Sequence, residues 1–254
     1  MRLSALTVFG LSTLVAVGCT APEPASERAP AIDAPPPGFT EYGAHPCDPI
    51  DDIQFICDMV SPEDLAVLPG SEWVIASGAQ EGGRLQLINA RDKTTTVLFP
   101  RPGQTERLDA TTYPTCPGPL DASEQEVFRG HGLYLKPGDG AIHTLYVVHH
   151  GTRESIEVFE VDAAGAAPDL AWIGCAPALS ILSLNSVVAL PDGGFATTSG
   201  PTDDVWAWHT ATGWARIPGS QGTAPNGLEI SNDGRWLYIA GWSQEKLTRI
   251  SLNE

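Results

Sequence analysis

The chain has 254 residues, of which 42% are hydrophobic, and this is enough to bury one sizeable core. Its formal net charge of -17 argues against nucleic acid or an anionic membrane surface as a partner. The acidic surface is expected to serve solubility in the first place, and a bias toward binding cations is the alternative. The 26 glycines and 22 prolines, beside only 7% aromatic residues, indicate many turns.

The N-terminal sequence MRLSALTVFGLSTLVAVGCTAP combines one Arg with a short apolar run that stops at small residues. This pattern predicts a signal peptide over residues 1–18 rather than a membrane-spanning helix. The stretch Ala16-Val17-Gly18-Cys19 resembles a bacterial lipobox, in which the cysteine is lipidated after cleavage. We therefore expect export to the bacterial cell envelope, periplasmic or outer surface, with membrane attachment only through a lipid anchor on Cys19. An ordinary signal peptide with an incidental cysteine is the alternative.

Residues 19–38 are rich in Ala and Pro and show no apolar periodicity, which is typical of an extended tether. The folded domain is predicted to occupy residues 39–254. Export implies an oxidising compartment, so the remaining cysteines are disulfide candidates, and their three possible pairings stay open. These cysteines are Cys47, Cys57, Cys116 and Cys175. The absence of a CxxC motif and of a Cys/His cluster in the sequence argues against a zinc site.

A phrase of similar pattern occurs four times along the chain. Each copy has a polar lead residue, an alternating apolar strand, a turn with Pro, Gly or Asp, and a second strand that closes near a small residue and Gly. Alternation on both sides of a Gly-containing turn predicts a β-hairpin. The copies begin at Glu63 (EDLAVLPGSEWVIASG), His131 (HGLYLKPGDGAIHTLYVVHHG), Asn185 (NSVVALPDGGFATTSG) and Asn226 (NGLEISNDGRWLYIAGW).

A second pair of strands follows the first three hairpins, which makes four strands per unit. These pairs lie between Arg84 and Phe99, from Ser155 onward and from Val205 onward. The lead residues are 68, 54 and 41 positions apart, and repeats of about this length are typical of propeller blades. We therefore predict an all-β fold, a β-propeller with about four blades in this chain and a long insertion over residues 100–128.

The lead residues occupy the same place in their units, at the start of the strand that lines the central channel of a propeller. They are therefore predicted to meet at one end of the channel. Three of them, Glu63, Asn185 and Asn226, offer one carboxylate and two amides, which are hard oxygen donors of the kind that calcium accepts. We predict a partial calcium shell from these three residues, and simple turn formation by Asn before Gly or Ser is the alternative.

His131 begins the first strand of its hairpin, and His150 ends the second. Because antiparallel pairing places these two strand ends side by side, the two imidazoles are predicted to meet at the channel mouth. One ring of such a pair can act as a base at neutral pH while the other tunes it, so the pair can activate water. The alternatives are two surface histidines without a joint role, or His149 in the place of His150.

A family resemblance is carried by the segments SPEDLAVLPGSEWVIASG, FRGHGLYL, LYVVHHGTRESIEVFEV, NSVVALPDGG and APNGLEISNDGRWLYIAGW. They resemble the paraoxonase (arylesterase/lactonase) family and, more distantly, the gluconolactonases. The resemblance implies a six-bladed propeller with a catalytic and a structural calcium ion, and hydrolysis of small-molecule lactones and aryl esters. The implied roles are catalytic-calcium ligands at Glu63, Asn185 and Asn226, a structural-calcium ligand at Asp64, and a catalytic dyad of His131 and His150.

Two departures from the family pattern stand out. Ser186 replaces an Asp ligand of the structural calcium, which predicts a weakened or absent second ion. The family's last two blades, with further calcium ligands, have no counterpart before Glu254. We therefore expect a fragment or a truncated product, and a natural short form that closes by self-association is the alternative. Among the open disulfide pairings, Cys116 with Cys175 would join two blades.

The leading hypothesis from the sequence is a calcium-dependent hydrolase of lactones or aryl esters at the bacterial envelope. Whether the chain is active as it stands depends on whether the ligands of the two missing blades are required. One alternative is a non-catalytic propeller that binds a protein or a sugar at the cell surface, since a fold does not fix a function. Another is a gluconolactonase-like enzyme with a sugar lactone as its substrate.

Overall fold

Short alternating strands dominate the part of the chain that the structure describes. The computed structural model describes residues 47–253. The predicted signal peptide, the tether and the lipidation site at Cys19 lie outside the described residues. The predicted domain of residues 39–254 is therefore described from Cys47 onward.

Sixteen strands and one helix make up the regular structure of this part. In chain order they are β1 (Pro62–Val67), β2 (Trp73–Gly78), β3 (Leu85–Asn89), β4 (Thr94–Phe99), β5 (Thr105–Glu106), α1 (Ala122–Glu126), β6 (Arg129–Lys136), β7 (Ile142–His150), β8 (Ser155–Asp162), β9 (Asp169–Pro177), β10 (Leu184–Ala189), β11 (Phe195–Ser199), β12 (Asp204–His209), β13 (Gly213–Arg216), β14 (Pro225–Ile230), β15 (Trp236–Gly241) and β16 (Lys246–Ser251).

The strands form four consecutive sheets of the predicted hairpins. Sheet 1 has the order β1-β2-β3-β4, sheet 3 the order β10-β11-β12-β13, and sheet 4 the order β14-β15-β16. Sheet 2 has the order β5-β9-β8-β7-β6, in which the two-residue strand β5 pairs with β9 in parallel and all other pairs are antiparallel. The innermost strands β1, β6, β10 and β14 lie beside one another in that order.

Three apolar clusters hold the sheets together, one at each interface between consecutive sheets. Alternation along β7 shows how a central strand serves two interfaces, because successive side chains point to opposite faces. Leu145 and Val147 pack into the cluster with sheet 1, while Tyr146 and Val148 pack into the cluster with sheet 3. A sheet covered on both faces needs an unbroken apolar run, and this is why LYVV stands in the middle of β7.

This arrangement is the all-β propeller that the repeats predict, with four blades in the described part of the chain. Each predicted hairpin forms at its expected place, and the KLTRIS segment forms the third strand of the fourth blade. The six-bladed ring implied by the family resemblance stays a prediction.

The disulfide between Cys116 and Cys175 differs from the expectation that it would join two blades. It ties the long insertion to β9, within the same sheet that the insertion precedes. The link from the insertion to sheet 3 is non-covalent instead. Tyr113 stacks on Trp208 with ring centroids 5.6 Å apart, and the Tyr113 ring fills the space where a Cβ at Gly174 would stand.

A second disulfide joins Cys47 to Cys57 near the start of the described residues. Two disulfides are typical of a protein from an oxidising compartment, outside the cytosol. The helices found in residues 47–253 include none with the length and apolar character that a membrane crossing requires.

Candidate functional site

Each innermost strand loses register with its hairpin partner at the lead residue. On all four strands, one extra residue is inserted there relative to the partner strand. The pairs that bracket the irregularity are Pro62–Gly78 and Leu65–Ala76, Gly130–His149 and Leu133–Val147, Leu184–Ser199 and Val187–Thr197, and Pro225–Gly241 and Gly227–Ala240. A bulge of this kind bends the strand and re-aims its side chains. The repeat therefore places a bulge, as well as a polar residue, at every lead position.

The four innermost strands enclose one cavity of about 450 Å³. Its wall includes three of the four lead residues, Glu63, Asn185 and Asn226, together with Asp64 and Ser186. The structure thus brings the carboxylate and the two amides to a single space. We call this end of the channel, with the side chains of the lead residues, the mouth.

His131, the fourth lead residue, contacts two of the other three. Its Nε2 is 3.3 Å from Glu63 Oε1 and 3.4 Å from Asn185 Nδ2. Two residues that are 122 positions apart in the sequence therefore meet at one imidazole nitrogen. The His131 side chain is 22% exposed and that of Glu63 is 40% exposed, so both are partly accessible to solvent.

Gly132 explains how Asn185 comes so close to His131. A Cβ at position 132 would overlap the carbonyl oxygen of Asn185 and crowd the backbone of Ser186. Only glycine allows β6 and β10 to approach this closely at the mouth. The Gly in the His131-Gly132 pair is thus a requirement of the packing between sheets 2 and 3.

The second histidine of the pair is His150. Its Nε2 lies 2.9 Å from His131 Nδ1, and the two rings meet at an angle of 61°. The side chain of His150 is 16% exposed. The ring atoms of the two residues therefore form a direct hydrogen bond, in the position that antiparallel pairing of β6 and β7 predicts.

His149 does not take the place of His150, because it faces the opposite side of β7. Its side chain is fully buried and stacks on Phe128, with ring centroids 4.8 Å apart. Its Nδ1 lies 3.3 Å from the carbonyl oxygen of Arg129. Burial lowers the pKa of His149 to about 3, so this imidazole is neutral at physiological pH.

Glu154 extends the hydrogen-bonded row of side chains from His131 and His150 by one residue. Its Oε2 lies 2.8 Å from His150 Nδ1, and its Oε1 accepts a hydrogen bond of 2.6 Å from the backbone N–H of Leu184. The sequence analysis did not identify Glu154. The available signal was its position four residues after His150, in the loop of residues 151–154 that turns from β7 into β8.

The loop that carries Glu154 is held by a buried ion pair. Arg153 donates from Nε and Nη2 to the two carboxylate oxygens of Glu157, each at 3.0 Å, and from Nη1 to the carbonyl oxygen of Gly118 in the insertion. The fully buried Glu157 also accepts hydrogen bonds from Ser155 Oγ and Trp172 Nε1. All of these polar groups are paired, which fixes the backbone on both sides of Glu154.

Asp64 and Ser186 link neighbouring blades across the cavity. Asp64 Oδ2 accepts a hydrogen bond of 2.7 Å from the backbone N–H of Leu133 in β6. At the equivalent position of sheet 3, Ser186 Oγ accepts one of 3.1 Å from the backbone N–H of Leu228 in β14. Both side chains therefore join innermost strands directly. The role of Asp64 as a ligand of a structural calcium stays a prediction.

The side chains at the mouth offer the type of oxygen donor that calcium binds. Glu63 Oε1 and His131 Nε2 lie 3.3 Å apart, and a cation beside two such lone-pair donors would be attracted to both. One carboxylate and two amides supply three of the six to eight oxygens that calcium takes, and water or substrate can supply others. Within residues 47–253, no group of three or more His, Cys, Asp or Glu side chains is arranged to hold a metal. The candidate site depends on amides instead.

No protein-family model matches the sequence, and none of the curated proteins matches it. Among solved structures, the chain is similar to a protein from Lactobacillus plantarum at 14% identity and a TM-score of 0.46, over 78% of this chain and 57% of that one. It is similar to hydrazine synthase from Kuenenia stuttgartiensis at 18% identity and a TM-score of 0.39, over 76% of this chain and 65% of that one. It is also similar to the alpha-L-arabinanase of Penicillium chrysogenum at 14% identity and a TM-score of 0.42, over 76% of this chain and 58% of that one. The chain thus spans less than two thirds of these proteins, and similarity at this level carries no argument about activity.

Proposed function

We propose that this β-propeller is a calcium-dependent hydrolase of lactones or aryl esters, of the paraoxonase type. The observation that carries the proposal is that Glu63 and Asn185, which both belong to the cavity wall, meet at Nε2 of His131, whose Nδ1 is bonded to His150. A propeller that only binds a protein or a sugar has no need of a hydrogen-bonded histidine pair beside a carboxylate. The family resemblance of the sequence supports the same class of reaction.

Glu63, Asn185 and Asn226 would hold the calcium ion through their side-chain oxygens. When bound, calcium would polarise the carbonyl group of the substrate and stabilise the negative charge that develops on its oxygen. Asn185 can contribute its Oδ1 while its Nδ2 faces His131, because the two ends of the amide point in different directions. The cavity of about 450 Å³ is large enough for a small lactone or ester.

His131 would act as the general base. Its Nε2 lies beside Glu63 and Asn185, two residues of the cavity wall, and its Nδ1 is bonded to His150. The side chain is 22% exposed, so a water molecule can approach it. When His131 Nε2 takes a proton from that water, the positive charge on the ring is shared with His150 and offset by Glu63 at 3.3 Å. Removing the base from such a site typically costs a factor of about 10²–10⁴ in rate.

The envelope location belongs to the same proposal. The two disulfides fit an oxidising compartment, and the lipobox-like sequence would place a lipid on Cys19. We expect the wild-type chain, expressed in a bacterium, to incorporate a radiolabelled fatty acid and to fractionate with membranes. A Cys19→Ser chain should do neither. Equal labelling of both chains would contradict the anchor without touching the hydrolase.

The hydrolase is tested with the full-length chain, thiobutyrolactone and phenyl acetate. Hydrolysis of either substrate in millimolar calcium that stops with a chelator and returns with added calcium would support the proposal. A circular-dichroism spectrum under each condition shows that the fold persists. Folded protein that hydrolyses neither substrate in saturating calcium would contradict it. Glucono-δ-lactone as a third substrate separates a sugar lactonase from the proposed preference for acyl and aryl compounds.

A further inference from the structure

Glu154 is held so that its carboxylate has one orientation. Its Oε1 accepts the backbone N–H of Leu184 at 2.6 Å, and its own backbone carbonyl accepts the N–H of Ala178 at 2.8 Å. The Arg153–Glu157 pair fixes the residues on either side. The other oxygen, Oε2, is thereby directed at His150 Nδ1, 2.8 Å away.

Two carboxylates face the ends of this hydrogen-bonded row, and the nearer one sets its direction: Glu154 Oε2 lies 2.8 Å from His150 Nδ1, whereas Glu63 Oε1 lies 3.3 Å from His131 Nε2. An ionised carboxylate only accepts hydrogen bonds, so the proton of His150 lies on Nδ1. In a neutral imidazole the other nitrogen is then an acceptor. His150 Nε2 therefore receives the proton of His131 Nδ1 at 2.9 Å. The remaining nitrogen, His131 Nε2, is left with a lone pair beside Glu63 and Asn185.

We propose that Glu154 is a positioning residue that sets the tautomer of His150 and, through it, makes His131 Nε2 the unprotonated nitrogen at the mouth. Its effect on hydrolysis rests on the proposed function, whereas its effect on the tautomers does not. The position of Asn185 agrees with the inference, because its Nδ2–H group, 3.4 Å from His131 Nε2, can donate to that lone pair.

Glu154 also joins two blades, because the backbone N–H of Leu184 that it accepts belongs to β10 in sheet 3. Leu184 directly precedes Asn185, so the same carboxylate holds the strand that carries one proposed calcium ligand and the histidine next to the base. The tautomer of the pair and the spacing of sheets 2 and 3 are therefore fixed by one side chain.

The decisive measurement is the nitrogen spectrum of the histidines in the full-length chain, without calcium at pH 8. The ¹⁵N shifts of an imidazole distinguish a proton on Nδ1 from a proton on Nε2, and a His150→Gln chain identifies the signals of His150. We expect His150 with its proton on Nδ1 and His131 likewise. A wild-type His150 with its proton on Nε2 would overturn the inference, and this result needs no variant at position 154.

Glu154→Gln reverses the arrangement if the inference holds. The side chain of glutamine has one acceptor oxygen and one NH₂ donor. Because the backbone N–H of Leu184 needs the oxygen, the NH₂ group should face His150 Nδ1. We expect the His150 proton to move to Nε2. The matched control is Asp192→Asn, which changes the acid beside His209, 3.2 Å away on the surface, and should leave the His150 signals unchanged. An unchanged His150 tautomer in folded Glu154→Gln would overturn the inference.

Measurements of kcat and KM distinguish a positioning role of Glu154 from a purely structural one. Acids that orient a catalytic histidine can contribute up to about 10⁴-fold to kcat. We expect Glu154→Gln to lower kcat for lactone hydrolysis about 10²-fold or more, with KM nearly unchanged, and Glu154→Asp to restore part of the loss. An active wild type in which Glu154→Gln keeps full kcat would overturn the catalytic role. An inactive wild type contradicts the proposed function, while the tautomer measurement still decides the inference.

Discussion

Two adjacent histidines at the end of β7 lie in two different regions of the molecule. His150 faces the mouth, bonded to His131 and Glu154, whereas His149 faces the core between sheets 1 and 2 and stacks on Phe128. The residue type and the strand are the same, so the difference comes from the side of the strand. In the mouth an imidazole is part of a polar chain, and in the core it is a flat neutral ring.

The two regions also use carboxylates differently. At the mouth, Glu63 and Glu154 lie at the two ends of the histidine pair, and their side chains are 40% and 27% exposed. In the interior, Glu157 is fully buried and accepts hydrogen bonds from three side chains. Substitutions at the mouth should therefore change the reaction, and substitutions in the interior should change the stability.

The largest effect is expected from His131→Gln. Glutamine keeps a polar side chain of similar reach but cannot take up a proton, so kcat for lactone hydrolysis should fall about 10²-fold, and by at least about tenfold. The midpoint of urea unfolding should stay close to that of the wild type. His209→Gln, at a half-buried histidine of sheet 3 that pairs with Asp192, is the matched control and should leave kcat unchanged. Full activity of His131→Gln would remove His131 from the mechanism.

Glu157→Gln should have the largest effect on stability. It leaves the Arg153 guanidinium, 14% exposed, without its anionic partner, and breaking a buried ion pair typically costs about 3–5 kcal/mol. The control on the same strand is Glu160→Gln, whose pair with Arg107 is exposed and should be worth less than about 1 kcal/mol. Urea unfolding measures both. Equal losses for the two variants would contradict the structural role of Glu157.

His149→Phe should change the pH dependence of stability. The pKa of His149 is about 3 in the folded chain and about 6.5 in an unfolded one. Between these values only the unfolded chain takes up the proton, so the wild type loses stability as pH falls below 6.5. From pH 7 to pH 5 this loss amounts to about 2 kcal/mol.

Phenylalanine preserves the stacking on Phe128 and cannot be protonated. The variant should therefore lose about 2 kcal/mol less than the wild type over the same interval. The measurement is urea unfolding at both pH values, with His143→Phe as a second buried histidine for comparison. Parallel curves for the wild type and His149→Phe would show that His149 is not held neutral by the core.

The smallest effect is expected from Ser186→Ala. This change removes the acceptor of the Leu228 N–H, a hydrogen bond from a side chain of β10 to the backbone of β14 at the cavity. The expected loss is about 1 kcal/mol of unfolding free energy, compared with no change for Ser180→Ala at an exposed loop position. A stability equal to that of the wild type would mean that water replaces the hydroxyl.

The sequence predicted those features that repeat or that follow from local patterns. Alternation and Gly-containing turns located the hairpins, and equivalence between units predicted that Glu63, Asn185 and His131 meet. The bulges at the lead residues were not predicted, because an extra residue in one strand is visible only against the register of its partner. Strand alternation does separate His149 from His150, but it does not say which face is the mouth.

Glu154 and the insertion show the limits of sequence patterns. Glu154 gains its role from Leu184, 30 positions away and in another blade, and such a contact leaves no local pattern. The disulfide between Cys116 and Cys175 closes a loop across 59 positions, and cysteine spacing alone allows three pairings. The role of Glu154 depends on the packing of sheets 2 and 3, and the disulfide depends on the return of the insertion to β9 within sheet 2.

Calcium titration of the full-length chain by isothermal titration calorimetry tests the central claim most directly. The wild type should bind calcium at the mouth, and Glu63→Gln should weaken that binding about tenfold or more, because it removes the one negative charge among the three proposed ligands. Glu72→Gln, at the opposite end of the same hairpin, should bind like the wild type. Calcium binding that is absent, or equal in the wild type and Glu63→Gln, would contradict the claim that the lead residues form a cation site.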